Sequence, residues 1–148
     1  MSDSPNFLTY AQTAFDSFEE RSFCAVDGLV FAWLSYLHLP DDMPELVGWQ
    51  GLDVRELLRA ECYQDMIGDL WDPEESRALL EAVAASPRYR GVRVCGYRAV
   101  NDVTATEQFA AVTFRFPAGF SYLSFRGTDS TIVGWKEDFN MAFRCPVP

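Results

Sequence analysis

Apolar positions recur with helical period in the first half of the chain. Val26, Leu29, Val30, Trp33, Leu34 and Leu37 fall at i, i+3, i+4, i+7, i+8 and i+11, which puts them on one wide stripe of a helix. The sequence LPDDMP, with two prolines, stops that helix. Residues 6–18 carry Phe7, Leu8, Ala11, Phe15 and Phe18 at near-helical spacing, which predicts a shorter amphipathic helix. Asp53 and Glu56 have the spacing of a capping box and predict a helix bearing Val54, Leu57, Leu58 and Cys62. Asp72, Pro73 and Glu75 repeat the device, opening a helix with Leu79, Leu80 and Val83 that ends before Pro87.

The period then drops to two. GVRVCGYRAV (91–100) starts β-branched and alternating. QFAAVTFRF sets Ala110, Val112, Phe114 and Phe116 against Phe109, Ala111, Thr113 and Arg115. FSYLSFR sets Ser121, Leu123 and Phe125 against Phe120, Tyr122 and Ser124. These are strand patterns, and Pro117, Ala118 and Gly119 join the last two as a hairpin. Residues 131–143 return to helical spacing through Ile132, Trp135, Phe139 and Phe143. The expectation is one domain over 1–148, helical over 1–86, with a β-meander and a helix over 87–148. As it stands this is α+β; it also fits the front part of a larger α/β protein.

Composition narrows the function classes. Hydrophobic residues make up 49% of the 148, enough for a core without disulfides or metal. Twenty-two acidic against 12 basic residues give a formal charge of −10, a field that repels phosphate backbones and anionic headgroups. Nucleic acid is therefore not an expected partner. Cys24, Cys62, Cys95 and Cys145 are too dispersed for a zinc clamp, and His38 is the one histidine. They read as reduced thiols, and no metal or cofactor is expected. The start MSDSPNF lacks the basic and apolar regions of a signal peptide, and the longest apolar stretch, near Leu29 to Leu37, is too short to span a bilayer. A cytoplasmic location and no transmembrane segment are expected.

The candidate chemistry lies at SFRGTDSTIVGWKEDF. Gly127 allows close backbone approach, Thr128, Asp129 and Ser130 are good helix caps, and a helix starting near 131 would turn unpaired amides and a positive dipole end toward the turn. Such amides can hold an oxyanion, although most helix starts of this composition bind nothing.

The segment FRGTDSTIVGWKEDFNMAF resembles the Phe-Arg-Gly-Thr/Ser segment of class 3 lipases. It resembles still more a bacterial family of lipase-like α/β-hydrolases that is formally a domain of unknown function. The likeness includes VDGLVFAWLSYL and LLEAVAASPRYRGVRVCGY and runs from about Phe23 onward. It implies an N-terminal part of an α/β-hydrolase fold, with Thr128 donating its amide to an oxyanion and Asp138 bracing the Thr128 hydroxyl. Gly127 and Asp129 would support the loop, and Trp135 would wedge the following helix against the sheet. Read from the residues themselves, Arg126 is expected as a buried or semi-buried ion-pair partner rather than a substrate ligand, and Lys136 and Glu137 as a solvated face. The implied function is a serine esterase or lipase acting on an acyl ester or lipid. The triad that such a hydrolase needs is missing: GFSYL (119–123) lacks the second glycine of a nucleophile elbow, and His38 precedes every strand and reads as a surface or helix-terminal residue. The chain would then be an N-terminal portion, inactive alone. The alternative is a non-catalytic binding or assembly module, with association through an exposed aromatic face.

Overall fold

The computed structural model describes residues 6–40, 42–70, 72–102 and 107–126. Five helices and four strands follow in chain order: α1 (Phe7–Thr13), α2 (Ala25–Leu34), α3 (Pro44–Val47), α4 (Tyr63–Ile67), α5 (Pro73–Ala85), with β1 (Leu52–Asp53) between α3 and α4 and β2 (Arg93–Asp102), β3 (Glu107–Arg115) and β4 (Ser121–Arg126) at the end. The sheet order is β1-β2-β3-β4, and every neighbouring pair is antiparallel. The architecture is mixed α+β.

The antiparallel meander after a helical first part is as read from the sequence, and the α/β-hydrolase resemblance is not confirmed by the described residues. A parallel strand pair requires a crossover of a dozen residues or more. Here β3 and β4 are joined by a tight hairpin, closed by Phe116 N–H to Phe120 O (2.9 Å) and Gly119 N–H to Phe116 O (3.0 Å). A short connection of this kind can only return the chain antiparallel.

The period-two pattern decides which side of the sheet is sealed. Val94, Val112 and Phe114 point to one face and are buried, with Ser124 beside them on β4. Helix α2 lies on this inner face: Phe31 packs on Phe114 (ring centroids 4.9 Å) and Phe116 (5.0 Å). Helices α1 and α5 close the far side of α2, where Phe7 meets Trp33 at 5.1 Å and the Trp33 Nε1–H donates to Ser76 Oγ at 3.0 Å. Asp72 caps α5 as its spacing predicts, accepting from the Glu75 amide at 3.0 Å.

The element after Asp53 differs from the expectation. The capping box is present, with the Asp53 amide donating to Glu56 Oε2 at 2.8 Å, but it opens a 3-10 turn over Val54–Leu57 rather than an α-helix. A box fixes only the first turn. Beyond it the chain is diverted, with Arg59 N–H bonding Leu57 O, and a second short turn leads into α4.

On the outer face the sheet bends at a β-bulge between Cys95 and Arg98. Gly96 there has φ +61°, and the Trp49 ring lies so close that a β-carbon would meet it at 2.9 Å. Gly51 (φ +80°) presses against the Cβ atoms of Arg93 and Cys95 in the same way, so the 49–51 segment wraps onto this face. Both positions require glycine.

Candidate functional site

The residues singled out at the strand end, Gly127, Thr128, Asp129 and Asp138, lie outside the described residues, as do Ser130, Trp135, Lys136, Glu137 and Cys145. The described chain ends at Arg126, the last residue of β4. Arg126 is half-buried, and its guanidinium donates to the Tyr36 carbonyl at 2.9 Å. His38 follows α2 and is exposed, as read from the sequence. Partial desolvation of its ring by the surrounding chain, together with the nearby Arg126 charge, lowers it from the usual histidine value, opposed by Asp69. Cys24, Cys62 and Cys95 are free thiols, and no group of three metal-ligating side chains occurs among the described residues. No described helix is long and apolar enough to cross a membrane.

Sequence reasoning missed one constellation altogether. Asp27, Arg88 and Tyr89 meet in the core, all essentially without solvent contact. Arg88 grips the Asp27 carboxylate with both arms of its fork, Nε to Oδ1 at 3.0 Å and Nη2 to Oδ2 at 2.7 Å. The Tyr89 hydroxyl donates to Oδ1 at 2.5 Å and the Cys24 amide to Oδ2 at 2.9 Å. The outer nitrogens of Arg88 donate to the carbonyls of Asp16, Ser17, Arg21 and Ser22, which pins the 14–24 loop. The one signal was an acid at the first turn of an apolar helix, and that also reads as an ordinary cap.

Every polar atom of this cluster has a partner inside the protein, so it is a lock rather than a reaction centre. Burial pushes the Asp27 carboxyl up, but hydrogen bonds from Arg88, Tyr89 and Cys24 outweigh it and hold it below its ordinary value. Burial and the Asp27 contact drive the Tyr89 hydroxyl up; burial and the Cys24 contact push Tyr10 up to about 12. Because the folded carboxyl is the stronger acid, its contribution to stability is fully present above its unfolded value of about 3.9 and is lost as pH falls below that. Urea titrations should therefore show a steeper loss of stability below about pH 4 in wild type than in Asp27→Asn. Equal slopes would contradict the charged form of this cluster.

Two clefts flank the lock. One of about 450 Å³ lies between the end of α1 and α5, lined by Gln12, Phe15, Ala78, Ala82 and Pro87. The other, about 180 Å³, is bounded by Ser17, Arg88, Gly91 and Pro117. Neither contains a nucleophile paired with a base.

The outer face of the sheet has a different character. Strand register places Leu123 opposite Thr113 and Phe125 opposite Ala111, and Leu123 and Phe125 are 54% and 55% exposed. Trp49, over the bulge, is 67% exposed. Arg93 and Arg115 stand directly opposite one another on β2 and β3, and both guanidiniums reach the single carbonyl oxygen of Gln50, at 3.3 and 2.9 Å. This is an apolar surface bordered by cations, with no catalytic dyad on it among the described residues.

Among the described residues, fold and site together define a mixed α+β domain with a four-stranded antiparallel sheet whose inner face is packed under α2 and whose outer face is partly covered by the 49–51 segment and exposed at Leu123. The family model that matches the chain is Mbeg1-like, over residues 83–148, from the end of α5 through β2, β3 and β4 and beyond the described strands. That match corrects the resemblance drawn above: the family is not a lipase or α/β-hydrolase family, and nothing in the match supports a hydrolase or lipase label. No curated protein and no solved structure matches the chain.

Proposed function

We propose that this chain is a non-catalytic binding module that docks a protein segment on the outer face of its sheet. The observation carrying this reading is the asymmetry of β3 and β4. Val112, Phe114 and Ser124 are buried on the α2 side, while Leu123 on the other side leaves more than half of its surface in water. Strand β4 is also an edge among the described strands. Its sequence, SYLSFR, has no proline and a single terminal charge, so it lacks the usual protections against pairing.

The test is a selection of displayed random peptides against the folded chain. Peptides enriched on wild type should lose at least tenfold in affinity toward the variant Leu123→Lys, whose unfolding free energy should move by no more than about 1 kcal/mol because the site is exposed. Selected peptides that bind this variant unchanged, or that shift only resonances of the α1–α5 cleft, would refute the reading.

A further inference from the structure

The chain between α1 and α2 is fixed at its two ends and bound largely to itself in the middle. At one end the Ala14 amide donates to the Tyr10 carbonyl at 2.8 Å, and the Ala14 carbonyl accepts from Ser86 Oγ at 3.3 Å. At the other the Cys24 amide donates to Asp27 Oδ2 at 2.9 Å. In between, the Ser17 amide donates to Glu20 Oε2 at 3.1 Å and the Glu20 amide to Ser17 Oγ at 3.2 Å, a reciprocal pair of the capping-box kind. The Arg21 amide donates to the Ser17 carbonyl at 2.9 Å, and the Arg21 guanidinium pairs with Asp16 at 3.0 Å. Asp16, Ser17, Glu19, Glu20, Arg21 and Ser22 are all exposed.

Three kinds of contact hold this middle to the body. The half-buried rings of Phe18 and Phe23 stand edge-on against Phe116 (5.0 and 5.5 Å) and Phe120 (5.6 and 5.4 Å). The Arg21 guanidinium lies over the Tyr10 ring at 5.5 Å. The third is Arg88, whose donors are divided. Nε and Nη2 hold the Asp27 carboxylate, while Nη1 donates to the carbonyls of Asp16, Ser17 and Arg21 at 2.8, 3.3 and 3.0 Å. If the middle lifted, Nη1 would pass to water and the Asp27–Arg88 pair would stay closed. No buried charge would lose its partner, so the large penalty of breaking the pair would not arise. The cleft of about 180 Å³ that Ser17, Phe18 and Glu19 share with Pro117 and Ala118 leaves room beside the segment.

We propose that residues 15–23 form a strap that lifts as one unit off the rings of Phe116 and Phe120 while α2 and the sheet stay folded. A segment with few buried side chains, hydrogen bonds at the surface and its own internal bonding opens at a lower free energy than the core around it. The reciprocal Ser17–Glu20 bonds make its opening collective, because neither amide is released without disturbing the other. Lifting uncovers two rings stacked at 4.5 Å beside a guanidinium still fixed by Asp27.

Native-state hydrogen exchange of the intact chain, followed by NMR in rising urea below the unfolding transition, tests the strap. The Ser17, Glu20 and Arg21 amides should share one protection factor, at least about a hundredfold below that of the core amides of α2 and β3. Urea should accelerate them only slightly, because lifting exposes little surface, and should accelerate the core amides steeply. Val112→Ala, at a buried site in β3, should speed exchange in the core several-fold and leave the three strap amides unchanged, since it weakens the closed and lifted forms alike. Strap amides that accelerate in step with the core, under urea or in Val112→Ala, would mean that the segment opens only when the whole protein unfolds, and would overturn the proposal. Three unrelated protection factors would show independent fraying and overturn it as well, as would an absence of protection at all three. The urea series uses the wild-type chain alone and needs no variant to fold.

Discussion

Replacing Arg88 by methionine is expected to destabilise the protein by about 3–5 kcal/mol, the usual cost of removing one partner from a buried ion pair. The reason is what remains. Asp27 would keep its burial and its neighbours Tyr89 and Cys24 but lose both charged hydrogen bonds, leaving an uncompensated carboxylate in the core. The carbonyls of Asp16, Ser17, Arg21 and Ser22 would lose their donor at the same time. Proteolysis should consequently begin within the 14–24 loop. Asp27→Asn should cost less than Arg88→Met, and the double variant should cost clearly less than the two singles added, because removing both charges relieves the penalty each single change leaves behind. Equilibrium urea unfolding measures all three. A cost under about 1 kcal/mol for Arg88→Met would mean that the guanidinium reaches water and that the lock does not exist.

Phe31→Ala should cost about 3–5 kcal/mol, as large-to-small changes in a packed core do. Phe31 is fully buried and touches Tyr89, Phe114 and Phe116, so its ring is where α2, the lock and the inner sheet face meet. Leu123→Ala, on the other side of the sheet, should cost less than about 1 kcal/mol. The contrast between the two sites matters more than either value. Comparable costs at both would mean that the outer face is packed against something as firmly as the inner one.

Local pattern carried the sequence reading where local forces dominate. Helix α2 was legible because six apolar side chains repeat with its period, and α5 because Asp72 and Pro73 announce its start. The three long strands were legible from alternation, although alternation alone does not say which set of residues is buried. Two residues, Leu52 and Asp53, form β1 only because β2 offers them its edge, and no local signal predicts a strand so short. Asp27 and Arg88 are 61 positions apart, and nothing near either names the other. The facing of Arg93 and Arg115 depends on the β2–β3 register, which in turn passes through the bulge at Gly96. As for the expected oxyanion loop, Thr128 and Asp138 fall outside the described residues, and the family on which their roles rested is not the one that matches.

Hydroxyl-radical footprinting of the free chain tests the two-sided sheet most directly, because it reads side-chain exposure residue by residue without any ligand. Leu123 and Trp49 should be modified rapidly, while Phe31, Phe114 and Trp33 stay protected until the protein unfolds. Protection of Leu123 equal to that of Phe114 would show the outer face already covered, and a docking surface there would be untenable.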